Sequence, residues 1–239
     1  MDEDTITNIF SEYGVSIYSR VGNIPRFKEE QDKQIVDLVH RVISPNGIII
    51  DVACGTGTIL DALDIEQRIG IDLAQGMIDT ATKTTSPDIA YMSGNALSLQ
   101  FQDEFAEGII CKNALYFLDY KQAFTEWSRV LKQNGYLIFT SLLPNPNWEK
   151  LWEIALRDTT TAPLMAYFNS EINQEELIKA LEPVKQEVIY QQQIKPLLNP
   201  PISLQDLQSA LKQTSFSNIK IIDDAHYCAT QYLISAQKK

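Results

Sequence analysis

Apolar and polar positions are arranged in alternating blocks along most of this chain. Ile48-Ile49-Ile50-Asp51-Val52 is a short, continuous, β-branched run, the pattern of a buried parallel strand. Arg68 to Asp72, Ile89 to Met92, Gly108 to Cys111 and Tyr136 to Leu142 repeat it. Stretches with helical spacing separate these runs. They are Gln34 to Val42, a segment reaching about Asp64, Met77 to Lys83, and Tyr120 to Leu131, which Lys132-Gln133-Asn134-Gly135 closes as a C-terminal stop. Five strands alternating with helices predict a parallel sheet with right-handed crossovers and helices on both faces.

The flanks differ. Residues 1–31 are polar with scattered aromatics (Phe10, Tyr13, Tyr18, Phe27) and predict one or two helices with a loop at Gly22 to Pro25. Pro144-Asn145-Pro146-Asn147 breaks the alternation, and 147–202 is mostly helical, with Trp148, Leu151, Trp152, Ile154 and Ala155 on one face. Ser203 caps a further helix. Ile219 to Ile222 and Tyr227 to Ala236 then predict two strands so close in sequence that they form an antiparallel hairpin. The expected architecture is one α/β domain over 1–239. Its seven-stranded sheet is mostly parallel, with the last strand antiparallel.

Composition narrows the function. Of 239 residues, 44% are hydrophobic and 21% charged, which predicts a packed core. A net charge of −11 repels polyanions and anionic membrane surfaces, so neither nucleic acid nor membrane is expected as a partner. Cys54, Cys111 and Cys228 lie far apart, without paired metal spacing, which predicts a reduced intracellular protein and no bound metal. The acidic start Met1-Asp2-Glu3-Asp4 has no secretory character and no apolar run reaches membrane length, so the cytoplasm is expected.

The candidate chemistry lies after the first strand, in Asp51-Val52-Ala53-Cys54-Gly55-Thr56-Gly57-Thr58. Gly55 and Gly57 permit a tight turn and a close ligand approach. The helix that follows offers free N–H groups and a positive dipole end. Asp51 is placed to meet an ammonium group. Asp72, at the end of the next strand, is placed to accept from ribose hydroxyls or, alternatively, to cap a helix.

The run IIIDVACGTGT…IGIDLAQGMI resembles motif I and the following acidic strand of the class I S-adenosylmethionine-dependent methyltransferases. The branch it resembles is the type 11, ubiquinone- and menaquinone-biosynthesis-like small-molecule enzymes. Ser93-Gly94-Asn95-Ala96 is similar to that family's Gly-Asp-Ala stretch. Glu107 to Leu118 is similar to its fourth-strand motif, and Phe124 to Ser141 to its helix-arginine-glycine-pair-strand segment.

The resemblance implies a Rossmann-like methyltransferase sheet. It divides the chain into an N-terminal lid (1–33), a cofactor-binding core (34–143), a helical substrate cap between strands 5 and 6 (144–202), and a C-terminal helix and hairpin (203–239). It implies that Asp51, Ala53, Cys54, Gly55 and Gly57 hold the methionine part of S-adenosylmethionine. Asp72 and Leu73 would hold the ribose, with Met77 near it, and Asn95 with Ala96 the adenine. Lys112 and Asn113 would face the methionine end or the substrate, with Phe117 beside the methyl position; Tyr18, in a segment that folds over the cofactor, would line the methyl or close the pocket, and Arg20 would clamp the cofactor carboxylate. Ala53 stands where the family commonly has its first glycine and fits because it is small. Asn95 replaces the usual Asp and keeps a carbonyl acceptor.

Tyr18, Tyr116 and His226 are the candidate catalytic residues; His226 would act as a base near neutral pH. The implied reaction is methyl transfer to oxygen, nitrogen or carbon of a small, apolar or aromatic metabolite, releasing S-adenosylhomocysteine. Two alternatives stay open. A non-catalytic S-adenosyl-binding module would share the pocket. An NAD(P)-dependent oxidoreductase would share the glycine turn but wants a third glycine where Leu60 stands.

Overall fold

The structure is a computed structural model that describes residues 7, 10, 25–145, 173–176, 199–225 and 231–239. Helix α1 spans Pro25–Val42 and starts nine residues before the expected Gln34. Proline suits the first helical position, where its fixed φ is right and its missing N–H is not needed. Ile35, Leu38, Val39 and Ile43 are buried along one side of this region.

Strand β1 (Ile48–Val52) is followed by α2 (Thr58–Asp61), β2 (Gln67–Asp72), α3 (Gln75–Thr84), β3 (Ala90–Ser93) and β4 (Ala106–Cys111). Next come a 3₁₀ turn at Leu115–Phe117, α4 (Tyr120–Val130), β5 (Leu131–Leu142), α5 (Leu204–Gln213), β6 (Phe216–Ala225) and β7 (Gln231–Lys238). Asp119 caps α4 by accepting from the N–H groups of Lys121 and Gln122, and Ser203 caps α5 by accepting from Asp206 N–H.

The sheet order is β3-β2-β1-β4-β5-β7-β6. Strands β1 to β5 pair in parallel, and β7 runs antiparallel to both β5 and β6. β6 therefore runs with the first five, and β7 alone opposes them, as the hairpin predicted. The chain leaves β1 toward β2 and later returns to its other side as β4. That reversal opens a crevice at the carboxyl ends of β1 and β4.

Two local expectations are corrected. Lys132 to Gly135 is not a stop outside the sheet: β5 begins directly at Leu131, which pairs with Ala106, while Tyr136 pairs with Gly108. The extra residues form a bulge with Asn134 at φ 64°, and Glu107 holds it by accepting from Lys132 Nζ at 2.6 Å. The helix after the glycine turn ends at Asp61, not near Asp64. With four residues it has little macrodipole, so the anion-binding argument from helix polarity weakens to one from local N–H groups.

Apolar layers cover both faces of the sheet. One holds the fully buried Phe124, Trp127, Phe139 and Phe216 beneath α4 and α5, with Phe124 against Trp127 and Phe139 at ring separations of 5.9 and 5.4 Å. The other packs Ile35, Val39 and Ile43 against Ile49, Ile110 and Ile138. Among the described residues no helix is long and apolar enough to cross a membrane.

Candidate cofactor and active site

The backbone after β1 turns sharply, with Ala53 at φ 56°, Gly55 at φ 55° and Gly57 at φ 78°. Ala53 thus needs more than small size, because a left-handed L-residue costs roughly 1–2 kcal/mol. Such strain persists only where the surroundings over-determine it. Here Cys54 N–H donates to Ile71 O at 3.0 Å and Gly57 N–H to Cys54 O at 3.1 Å. Asp72 then ties β2 to the turn: its Oδ2 accepts from Gly55 N–H at 2.8 Å and its Oδ1 from Ala74 N–H at 2.9 Å. The cap of α3 is Ala74, so Asp72 does not cap the helix itself but joins its start to the glycine turn.

Asp51 is 2% exposed, and its Oδ1 has no hydrogen-bond partner among the described residues. Burial pushes its pKa up to about 8; Lys112 pulls it back, and Asp72 and Asp32 push it further. Burial also raises the carboxyl of Asp72, against its backbone N–H bonds, and raises the Cys54 thiol, which is therefore a poor nucleophile. Among the described residues three carboxylates face one ammonium at this turn, which leaves a cation deficit. A Cβ built on Gly55 would meet nothing within 4 Å, so the turn faces open space. An unpaired buried carboxylate oxygen beside an open turn fits the ammonium end of an S-adenosyl compound.

Sequence reasoning missed Tyr91. Its hydroxyl donates to Gly57 O at 3.3 Å and accepts from Thr85 Oγ1 at 3.1 Å, and the ring fills the space a Cβ on Gly57 would need. Desolvation pushes this phenol up to about 12. Its signal in the sequence was only one aromatic within a short strand run.

The Asn95-Ala96 loop is held from below by α4. Asn95 Oδ1 accepts from Leu97 N–H at 2.8 Å, so the carbonyl kept for the adenine already holds a local turn. Trp127 Nε1 donates to Ala96 O at 2.8 Å, Glu126 Oε1 accepts from Leu99 N–H at 2.6 Å, and Arg129 donates to the carbonyls of Phe101 and Leu99. Trp127→Phe should lower stability by about 2–3 kcal/mol, because it orphans a buried carbonyl and opens a gap. Urea unfolding with an unchanged midpoint would show that the indole bond contributes nothing.

Met77 is 2% exposed, packed in the core at the start of α3, and Leu73 lies between Asp72 and Ala74 with its carbonyl 3.5 Å from Ser93 Oγ. At the end of β4, Lys112 pairs with Asp32 of α1, so its ammonium is neutralised within the protein rather than standing open to the methionine end. Asn113 sits at φ 56° with its N–H on Thr140 Oγ1 at 2.9 Å. Tyr116 and Phe117 follow in the 3₁₀ turn, their ring centroids 4.8 Å apart, and Phe10 meets Phe117 edge-on at 5.2 Å. Asn199 binds the carbonyls of Tyr116 and Leu118. Both flanking segments therefore reach this turn.

The structure gathers Asp51, Ala53, Cys54, Gly55, Gly57, Asp72, Lys112 and Asn113 around the carboxyl ends of β1, β2 and β4. Tyr13, Tyr18, Arg20, His226, Trp148, Trp152, Tyr167 and Phe168 lie outside the described residues. Among the described residues no group of three or more His, Cys, Asp or Glu is placed to hold a metal ion.

Residues 50–139 match the family model Methyltransf_11, described as a methyltransferase domain. A demethylmenaquinone methyltransferase of Symbiobacterium thermophilum is 31% identical over 121 residues, 46% of this chain and 47% of that protein. The chain spans less than half the length of the first curated relatives it matches. A solved SAM-dependent methyltransferase of Thermotoga maritima superposes with TM-score 0.67 at 18% identity, covering 98% of this chain and all of the other. Magnesium protoporphyrin IX methyltransferase of Synechocystis, solved with bound SAH, superposes with TM-score 0.62 at 11% identity over the whole of both chains.

Proposed function

We propose that this chain, a class I S-adenosylmethionine-dependent methyltransferase of type 11 through residues 50–139, methylates oxygen, nitrogen or carbon of a small metabolite. The observation that carries the reading is the unpaired, buried Asp51 Oδ1 beside the open Gly55 turn, with Asp72 bracing that turn. Bound S-adenosylmethionine supplies an electrophilic methyl group, leaving as S-adenosylhomocysteine. Asp51 receives the ammonium, Ala53 to Gly57 line the methionine part, and Asp72 with Leu73 accepts the ribose while keeping the turn in place. Asp72 accepts from Gly55 N–H on Oδ2 and Ala74 N–H on Oδ1, and its carboxylate, with about four lone-pair sites, keeps room for a hydroxyl. Asn95, Ala96 and Met77 border the adenine.

Phe10, Tyr116 and Phe117 form an aromatic surface at the end of β4, which supports an apolar or aromatic substrate. The chain's own work is then alignment of the acceptor atom, with Tyr116, and Tyr18 and His226 from the flanking segments, as proton-handling candidates. We assign the whole chain to one domain, with 1–33 as lid and 144–202 as cap. We place it in the cytoplasm, acting on a small molecule rather than on nucleic acid, which its net charge of −11 disfavours. A binding-only module is the second reading, favoured by Asn95, whose one carbonyl oxygen already accepts from Leu97 N–H where the usual Asp would offer a second oxygen; it predicts cofactor binding without turnover.

Calorimetric titration tests the reading. Micromolar binding of S-adenosylmethionine and S-adenosylhomocysteine is expected, with none of NADH. Asp72→Ala should weaken both by about a hundredfold, or about 3 kcal/mol, through loss of the ribose acceptor and of the brace on Gly55. A folded wild-type protein that binds neither S-adenosyl compound would refute it.

A further inference from the structure

Asp51 and Lys112 share one face of the sheet. Asp51 is in register with Ile110, and Lys112 lies two residues further along, about 7 Å, with the same side-chain parity. Ile49 and Ile110 on this face pack against α1, the helix that carries Asp32. An extended lysine side chain on Lys112 can therefore reach either carboxylate. It is bound to Asp32, with the two side chains only 16% and 13% exposed, while Asp51 Oδ1 is left unpaired. An ammonium on Asp51 would satisfy that oxygen, and among the described residues Lys112 supplies the cation that acts on Asp51.

We propose that Asp32 is a positioning residue that holds the Lys112 ammonium away from Asp51, keeping the Asp51 carboxylate open for the ammonium group of the cofactor. Lys112 is an internal competitor for the cofactor's own cation, and α1 restrains it. The other groups facing Asp51 among the described residues are Asp72 from β2, the thiols of Cys54 and Cys111, and the phenol of Tyr91 from β3. None of these supplies a cation. The inference rests on the cofactor reading above and adds to it a reason for a partly buried ion pair between α1 and the end of β4. It also explains why an acid on α1 belongs to a site otherwise built from strand ends.

The test is a double-mutant cycle on the full chain, read by calorimetric titration with S-adenosylhomocysteine. Asp32→Asn should weaken binding about tenfold, the scale of one pKa unit of competing charge. Adding Lys112→Met to Asp32→Asn should restore binding to near the wild-type level, because the competitor is gone. Lys112→Met alone should bind more tightly than Asp32→Asn once each titration is referred to the ionised Asp51 carboxylate. A second readout needs no ligand: Asp32→Asn should move the carboxyl ¹³C titration of Asp51 to lower pH by clearly more in the wild-type background than in the Lys112→Met background, where only the loss of the Asp32 charge acts.

A purely structural role for the ion pair predicts the opposite, since Lys112→Met breaks the same pair: both single variants weaken binding and the double variant stays weak. That result overturns the proposal, as does full binding by Asp32→Asn with an unmoved Asp51 titration. Absence of binding by wild-type protein would instead fall on the cofactor reading, and the difference between the Asp51 shifts in the two backgrounds would still decide where Lys112 goes.

Discussion

Asp51→Asn should make the ligand-free protein more stable in alkaline solution while abolishing its affinity for S-adenosyl compounds. The carboxyl has an ordinary value of 3.8 and is raised to about 8 in the folded chain, chiefly by burial. Between these values the native state keeps a proton that the unfolded chain has released. Stability therefore falls as pH rises from about 4 to about 8 and is flat above. Asparagine removes this dependence. Its advantage over wild type should grow by about 3 kcal/mol between pH 5.5 and 8.5, or roughly 10 °C in Tm.

Binding runs the other way. A cationic ligand needs the carboxylate, so wild-type affinity should rise between pH 6 and 7.5, at most about tenfold per unit, with release of a proton. Thermal unfolding at the two pH values and titration in buffers of different ionisation enthalpy measure both effects. Parallel melting curves for wild type and variant across that range would show that Asp51 is already ionised in the folded protein.

Gly57→Ala should cost about 2–4 kcal/mol of stability and eliminate cofactor binding. Two costs coincide at this position. The φ of 78° is left-handed, and a Cβ would stand 2.2 Å from the Tyr91 hydroxyl oxygen, behind which the ring is fixed by Thr85 and the Gly57 carbonyl. Gly55→Ala shares only the first cost. At φ 55° with open space around its Cβ, it should lose about 1 kcal/mol, yet binding should fall because the methyl group occupies the ligand's approach. Adding Tyr91→Leu to Gly57→Ala should recover part of the lost stability but not the binding. Chemical unfolding of the four proteins tests this. A Gly57→Ala variant as stable as wild type would mean that Tyr91 moves aside freely and does not brace the turn.

The alternation of β-branched runs and helical spacing was enough to place β1, β2, β4, α3 and α4, because each of these elements buries a face of its own and local patterning reports burial; β3, largely exposed, was legible only as a short apolar run between two turns. The closing hairpin was legible for the same reason: its strands are too close in sequence to pair any other way. The glycine turn and the two acids of the site were legible from Asp51, Gly55, Gly57 and Asp72, since a tight turn and an acid at a strand end are local properties of chain and side chain.

What the sequence could not show depends on distant pairing. The start of β5 at Leu131 follows from its contact with Ala106 and from Glu107 gripping Lys132, across a bulge whose residues look like a helix stop when read alone. Tyr91 supports Gly57 from 34 residues away. Lys112 reads as a ligand contact until α1 brings Asp32 to it across 80 residues. Whether Asp51 is an ordinary carboxylate or a buried one held near pH 8 is likewise a matter of what covers it. Patterning along the chain decides which groups stand at the strand ends; only packing between segments far apart in sequence decides their charge, their partners and the space left open for a ligand.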